Sequence, residues 1–304
     1  MISLPKGVDL NDLIGFLRDI GLKANSILRN LESESLPLYG SSDNLNLINN
    51  EDGPVTAADL TLNKLFTTQF ISRYPYINWE VITEENSKLV PFQESNCDWI
   101  WLIDPLDGTK DFIQRTGEYA VHVALMFKNK PVLGMVLIPK LREIWFGIDS
   151  LGTWKEKEKS LLENKKSSLL NKKFQSFSKR HISKVVTSKN HNNQKLEIIL
   201  KEMNYQNILK MGSIGFKVCS LLRGEADVYI SISDKTAPKD WDLAAPHALI
   251  KSAGCNFTYV SGDEINYQKD NYQQKGCLIA STLITEEHTN ICRKINSIIN
   301  KYDF

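Results

Sequence analysis

The chain has 304 residues, 42% of them hydrophobic and 24% charged, with a formal net charge of +1. That length and balance suit a globular protein with a sizeable core, built as one large domain or two packed halves. The near-neutral charge gives no global field to draw a nucleic-acid polymer or a membrane surface.

No apolar run approaches the roughly 18 to 20 residues of a spanning helix, so no integral membrane segment is expected. Residues 1–10 lack the basic segment and apolar core of a signal peptide. The five cysteines, Cys97, Cys219, Cys255, Cys277 and Cys292, are odd in number and show no C-x-x-C spacing. This argues against a zinc site or a disulfide framework and for a reducing cytoplasm.

Along the chain, Leu10, Leu13, Ile14, Leu17, Ile20, Ala24, Ile27, Leu28 and Leu31 recur at helical spacing and predict one long amphipathic helix. Residues 36–54, rich in Ser, Asn, Asp and Gly, read as a loop. A second helix is predicted over 56–73, ending before Pro75. Strands follow over 79–83 and 99–104. Two more, 120–127 and 132–138, are joined by the short link Lys128-Asn-Lys130 of an antiparallel hairpin, and 143–149 is another strand. Over 155–180, eight lysines and one arginine meet three glutamates and few apolar residues. That composition reads as a solvated, mobile excursion, with a weak anion site as the sharper alternative.

The second half alternates: strand 182–188, helix 192–203, a strand near 208, helix 213–223, strand 226–233, helix 243–253, strands 256–260 and 277–280, and a last helix over 286–302. Strands flanked by helices predict layered α/β architecture. Its halves are 1–154 and 182–304, separated by the excursion 155–181.

The densest chemical signal is Trp99-Ile-Trp-Leu-Ile-Asp104-Pro-Leu-Asp107-Gly108-Thr109-Lys110-Asp111-Phe112, an apolar strand that ends in two aspartates. Asp104 and Asp107 are hard oxygen donors suited to Mg²⁺. Pro105 stiffens the turn and would aim the Leu106 carbonyl at the same ion. Gly108 lets the backbone approach a ligand closely. If a helix starts here, the Gly108 and Thr109 amides suit a phosphate. A plain Asp-Pro turn with an Asp cap is the structural alternative.

Other acids stand at element ends. Glu84-Glu85 follows a predicted strand, Asp242 in Trp241-Asp242-Leu-Ala-Ala-Pro246 opens a helix, and Asp59 in Pro54-Val-Thr56-Ala-Ala-Asp59 lies near another helix start. Each has its own plain reading, as a solvated loop or a helix cap. Together they form the inventory of a two-metal phosphoryl-transfer site, because clustered carboxylates repel unless cations hold them. His122, Trp99, Trp101 and Trp145 alternate with core residues and read as packing, and Gly152 as a turn glycine.

In this order Val55-Thr-Ala-Ala-Asp59, Glu84-Glu85, Asp104-Pro-Leu-Asp107-Gly-Thr109, and Trp241-Asp242 with Ala253-Gly254 downstream resemble the inositol monophosphatase superfamily, the lithium-sensitive magnesium phosphatases. The continuation Gly108-Thr-Lys-Asp-Phe112 is similar to the CysQ-type 3'(2'),5'-bisphosphate nucleotidases. So is Gly212-Ser213-Ile-Gly-Phe-Lys217-Val-Cys219, whose lysine suits a second phosphate. Two positions depart from that branch. Asn86 stands where many nucleotidases have a third acid. Ser231 stands where inositol enzymes carry an acid and many nucleotidases an arginine. Lys235 and Lys239 are the reserve cations.

The resemblance implies a layered α/β/α/β/α sandwich with the site between its halves. It also implies two or three Mg²⁺ ions held by Glu84, Asp104, the Leu106 carbonyl, Asp107 and Asp242. Glu84, Leu106, Asp107, Gly108, Thr109, Ser213, Lys217 and Asp242 would meet the substrate. Asp59 and Thr109 would orient and deprotonate the attacking water. The implied substrate is a small phosphomonoester, 3'-phosphoadenosine 5'-phosphate, a by-product of sulfate assimilation, hydrolysed by a monomer or homodimer. The other readings are an inositol- or sugar-phosphate phosphatase on the same scaffold, and a catalytically idle nucleotide- or metal-binding protein.

Overall fold

A computed structural model of the chain describes residues 4–34, 48–50, 53–89, 92–158, 184–190, 193–233 and 236–304. The first helix, α1 (Leu10–Glu34), buries the predicted stripe Leu13, Leu17, Ile20, Ala24 and Leu28. The segment read as a loop holds a short antiparallel hairpin, β1 (Ile48–Asn50) with β2 (Gly53–Val55). Three-residue strands carry too little periodicity to be seen in sequence. Helix α2 (Ala57–Arg73) starts at the Thr56 cap and buries Leu62, Phe66 and Phe70.

Next come β3 (Glu80–Thr83), the one-turn α3 (Glu84–Ser87), β4 (Trp99–Asp107) and the short α4 (Thr109–Ile113). A meander completes the first sheet: β5 (Ala120–Phe127), β6 (Lys130–Ile138), β7 (Glu143–Ile148) and β8 (Gly152–Lys157). The β5–β6 turn is Lys128-Asn129, both with positive φ, the tight two-residue geometry that matches strand twist.

Strand β8 carries the sheet three residues into the stretch read as a basic excursion. Two of its three charges are paired, and the third, Lys157, is exposed. Lys155 Nζ lies 2.7 Å from Glu143 Oε1, and Arg18 makes two 2.7 Å contacts with the buried Glu156. Composition cannot see such cross-strand partners. Most of the remaining excursion lies outside the described residues.

The second half contributes β9 (Val185–Ser188), α5 (Gln194–Glu202), β10 (Ile208–Met211), α6 (Ile214–Arg223) and β11 (Val228–Ile232). It closes with α7 (Asp240–Ser252), β12 (Asn256–Tyr259), β13 (Cys277–Ser281) and α8 (Thr285–Tyr302). Helix α7 starts three residues before the predicted 243, because Asp242 caps the backbone of Lys239 from inside the first turn.

The six-stranded sheet runs β3-β4-β5-β6-β7-β8 and the five-stranded sheet β10-β9-β11-β13-β12. Side-chain alternation sorts the layers. Trp101, Ile103, Val121, Val123 and Leu125 face α1 and α2, whereas Ile100, Leu102, Ala120, Ala124 and Met126 face α6 and α7. On the second sheet, Val186, Tyr229, Leu278 and Ala280 face the same two helices, and Val185, Val228, Ile230 and Ile279 face α5 and α8. The result is an α/β/α/β/α sandwich. No described helix is long and apolar enough to cross a membrane.

Helix α7 lies almost on the backbone of the first sheet, presenting Ala244, Ala245 and Ala248. A Cβ at Gly147 would stand 2.5 Å from Leu249 Cα, and one at Gly134 would stand 2.5 Å from Ala245 O. Gly147→Ala should therefore destabilise the fold by about 1–3 kcal/mol through overpacking. Gly15→Ala, in α1 with open space around its Cβ, should stabilise by up to about 1 kcal/mol. Urea melts of both variants check this pair; a neutral Gly147→Ala would refute the close seating of α7.

Candidate active site

Strand β4 enters the site as an apolar, doubly buried run and then loses its regular pairing. The register to β5 shifts between Asp104 and Asp107, where Pro105 lacks an N–H for the ladder. The break turns both carboxylates out of the strand end. Asp104 is buried, and its Oδ1 accepts the Leu106 N–H at 2.9 Å. Gly108 follows with φ +92°, and a Cβ there would press on Glu118 O and Tyr119 Cα at 3.3 Å. Glycine is thus required where the chain turns into α4.

Three other elements aim acids at this point. Glu84 opens α3 directly after β3. That turn is tied down by Thr83, whose Oγ1 accepts the Asn86 N–H and donates to Asn63 Oδ1, while Asn63 Nδ2 donates to Asn86 Oδ1. Asn86, the departure from the nucleotidase pattern, thus spends its side chain on α2. Lys88 Nζ sits 3.0 Å from both Glu84 and Glu85.

Asp242, in the first turn of α7, accepts the Lys239 N–H at 2.7 Å. Asp59, in the first turn of α2, accepts both the N–H and the hydroxyl of Thr56 through Oδ2. Its Oδ1 lies 3.2 Å from Thr109 Oγ1, which is equally close to the Leu106 carbonyl. Asp59 and Asp242 therefore cap their helices and also stand beside the end of β4, so the capping reading does not exclude a place near the acidic cluster.

Asp107 is held across the sandwich. Its Oδ2 accepts the N–H groups of Ile214 (2.5 Å) and Gly215 (3.3 Å) at the start of α6. Behind it is His122, read as packing from the sequence. The imidazole is fully buried, with Nε2 3.4 Å from Asp107 Oδ2. A Cβ at Gly215 would stand 2.2 Å from that nitrogen. Only its pairing opposite Asp104 across β4 and β5 could have flagged it, and register is not visible in sequence.

The electrostatics follow from this crowding. Burial first, then Glu84, Asp107 and Asp242, push the Asp104 carboxyl well above the usual range. Burial, then Asp107 and Glu84, do the same to Asp242. Glu84 is pushed up to about 6 by burial, with Glu85 and Asp59 adding to it against the pull of Lys88. Burial also raises Asp59. Oxygen donors that repel one another in a poorly solvated place fit a hard divalent cation such as Mg²⁺. Asp104, Asp107 and His122 each offer an atom within 4.8 Å of the others.

Glu84, Asp104, Asp107 and Asp242 line a cavity of about 630 Å³ with Leu106, Gly108, Thr109, Lys110, Ser213 and Lys217, whereas Asp59 and His122 stand behind its wall. Lys217 is 2% exposed. Its ammonium donates to Gly212 O and lies 5.6 Å from the centre of the Tyr229 ring. Burial lowers its pKa to about 8 against the pull of Asp107, Asp111, Glu118 and Asp242. Ser213 caps α6, accepting the Phe216 N–H at 2.9 Å. Ser231 and Lys239 also line the cavity; Lys235 lies outside the described residues.

The family model described as "Inositol monophosphatase family" matches residues 9–300. The 3'(2'),5'-bisphosphate nucleotidase CysQ of Salmonella typhimurium is 32% identical over 219 residues, 71% of this chain and 80% of the relative. Among solved structures, CysQ from Bacteroides thetaiotaomicron superposes with TM-score 0.68 at 23% identity, covering 90% of this chain and 98% of that one. An IMPase/NADP phosphatase complexed with Mg²⁺ and phosphate gives TM-score 0.71 at 15% identity, covering 94% and 96%.

The raised carboxyls predict a pH-dependent response to metal. A carboxyl with a higher pKa folded than unfolded favours the fold only while protonated. The metal-free protein loses that contribution as pH rises from the ordinary carboxylate range through about 6, the value reached by Glu84. A cation binds the deprotonated groups, so the rise in melting temperature caused by Mg²⁺ should grow from pH 5 to pH 8. Subtracting the metal-free melt removes groups outside the cluster. An equal Mg²⁺ increment at both pH values would contradict the assignment.

Proposed function

The chain belongs to the inositol monophosphatase family, and from that premise we propose that it is a magnesium-dependent 3'(2'),5'-bisphosphate nucleotidase. Its favoured substrate is 3'-phosphoadenosine 5'-phosphate, hydrolysed to AMP and phosphate. The observation that carries this reading is one cavity lined both by a crowded carboxylate cluster and by the buried ammonium of Lys217. Relatives named as bisphosphate nucleotidases support the substrate class.

Glu84, Asp104, the Leu106 carbonyl, Asp107 and Asp242 would hold two or three Mg²⁺. Bound there, the ions cancel the carboxylate repulsion, draw charge from the scissile phosphate and lower the proton affinity of water. The first-turn amides of Gly108 and Thr109 have no helical acceptor of their own and take the phosphate. Thr109 is placed against both Asp59 Oδ1 and Leu106 O, so its hydroxyl can pass a proton from the attacking water to Asp59. Burial raises the proton affinity of Asp59, which suits it to accept that proton. Displacement is in line, with no phosphoenzyme. Lys217 meets the second phosphate.

Hydrolysis should vanish with EDTA and return with Mg²⁺. Asp107→Asn keeps the shape but removes charge, and should lower turnover by roughly a hundredfold or more, the loss expected of a major electrostatic element. Near-normal activity of the folded variant would refute the ligand assignment.

A charge-assisted hydrogen bond contributes roughly 1.5 to 3 kcal/mol, or about ten- to a hundredfold in binding. Lys217→Ala should therefore raise KM for 3'-phosphoadenosine 5'-phosphate by about that factor. Hydrolysis of a substrate with one phosphate should barely change. Equal harm to both substrates, or a wild-type preference for inositol 1-phosphate, would remove the nucleotide assignment and leave a phosphatase.

A further inference from the structure

The run from the end of β10 into α6 carries four consecutive N–H groups that point at the end of β4 and the connection following it. Gly212 N–H donates to Glu118 Oε2 (3.0 Å) and Ser213 N–H to the Glu118 carbonyl (2.8 Å). Ile214 and Gly215 N–H donate to Asp107 Oδ2. The second sheet thus grips the first through one run of amides, and the position of Asp107 depends on that run.

One cation stands behind the grip. Lys189, just past the end of β9, places Nζ 2.8 Å from Glu118 Oε2 and 2.7 Å from Asp111 Oδ1, while its own N–H donates to Met211 O at 2.9 Å. Asp111 is fully buried, and its acceptors are taken up by groups on both sides of the sandwich. Thr116 Oγ1 donates to Oδ1 at 2.7 Å and Asn190 Nδ2 to Oδ2 at 2.6 Å. There is no slack for another side chain: a Cβ on Gly212 would stand 2.3 Å from Glu118 O and 2.4 Å from Asp111 Oδ2. Glu118 and Asp111 share Lys189 as counter-ion. Without it, a fully buried carboxylate would lose the ammonium paired with it; among the described residues Lys217 also feels both carboxylates.

We propose that Lys189 is a positioning residue. By neutralising Asp111 and Glu118 it sets the Gly212–Gly215 amides, which in turn set Asp107 and hence the metal affinity of the site. This rests on reading Asp107 as a metal ligand. It also gives a physical task to Asp111, the residue that follows Gly108-Thr109-Lys110 in the nucleotidase-like motif: a buried anchor for the second sheet.

The test measures Mg²⁺ binding directly by calorimetry, without substrate, on the full chain well below its melting temperature. Partners that orient a metal ligand are typically worth about ten- to a hundredfold in metal affinity, so Lys189→Met should raise the Mg²⁺ Kd by about that factor. Lys189→Arg, which restores the charge, should bring it back close to wild type. Glu118→Gln keeps an acceptor for Gly212 while removing the charge that Lys189 meets. It should weaken binding in the same direction, and added to Lys189→Met it should cost less than the two singles summed. Should Lys189→Met fail to fold, Glu118→Gln alone carries the test.

An unchanged Mg²⁺ Kd in a folded variant whose only defect is a lower melting temperature would overturn the proposal and leave the metal site intact. Wild-type protein that binds no Mg²⁺ would overturn both together.

Discussion

The carboxylates of Glu84, Asp104, Asp107 and Asp242 meet where little water can separate them, and burial and mutual repulsion raise the proton affinity of three of them. Left to themselves such groups drive one another apart or take up protons. The surrounding chain resists both outcomes. Asp104 is fixed by the Leu106 amide, Asp107 by two amides at the start of α6, and Asp242 by the backbone of Lys239. Each restraint comes from a strand end or a helix start, where backbone N–H groups are free of secondary structure. A cluster held together against its own charge is a preformed demand for divalent cations.

That demand explains the close packing of the middle layer. Helix α7 brings Asp242, and α6 brings the amides for Asp107, so both must be seated closely against the first sheet. The glycines facing them give the seating: Gly134 and Gly147 let α7 rest on the first sheet, and Gly215 lets α6 pass His122. The small alanines of α7 answer from the other side. Displacement of either helix would separate carboxylates that share a charge but no covalent link.

Much of this could be read before any coordinates. The α1 stripe, the β5–β6 hairpin and the alternating second half are written in periodicity, and the acids stand out because they follow apolar strands or open helices. The hidden parts depend on partners distant in sequence. Lys155 and Glu156 look like a solvated run until Glu143 and Arg18 are set beside them. His122 looks like any core residue until the β4–β5 register puts it opposite Asp104. Lys189 and Asn190 carry no motif, and only the packing of the two sheets shows that they end on Asp111 and Glu118. The β1–β2 hairpin was too short to announce itself.

Charge repulsion as the governing constraint is tested most directly by the melting temperature of Asp104→Asn, with and without Mg²⁺. Asn keeps an oxygen for the Leu106 N–H and removes a charge from the centre of the cluster. Without metal, and at a pH high enough to ionise the cluster, the variant should melt above wild type, because the repulsion is relieved, and Mg²⁺ should add little. A metal-free variant that melts below wild type, or one that gains as much from Mg²⁺ as wild type does, would contradict that constraint.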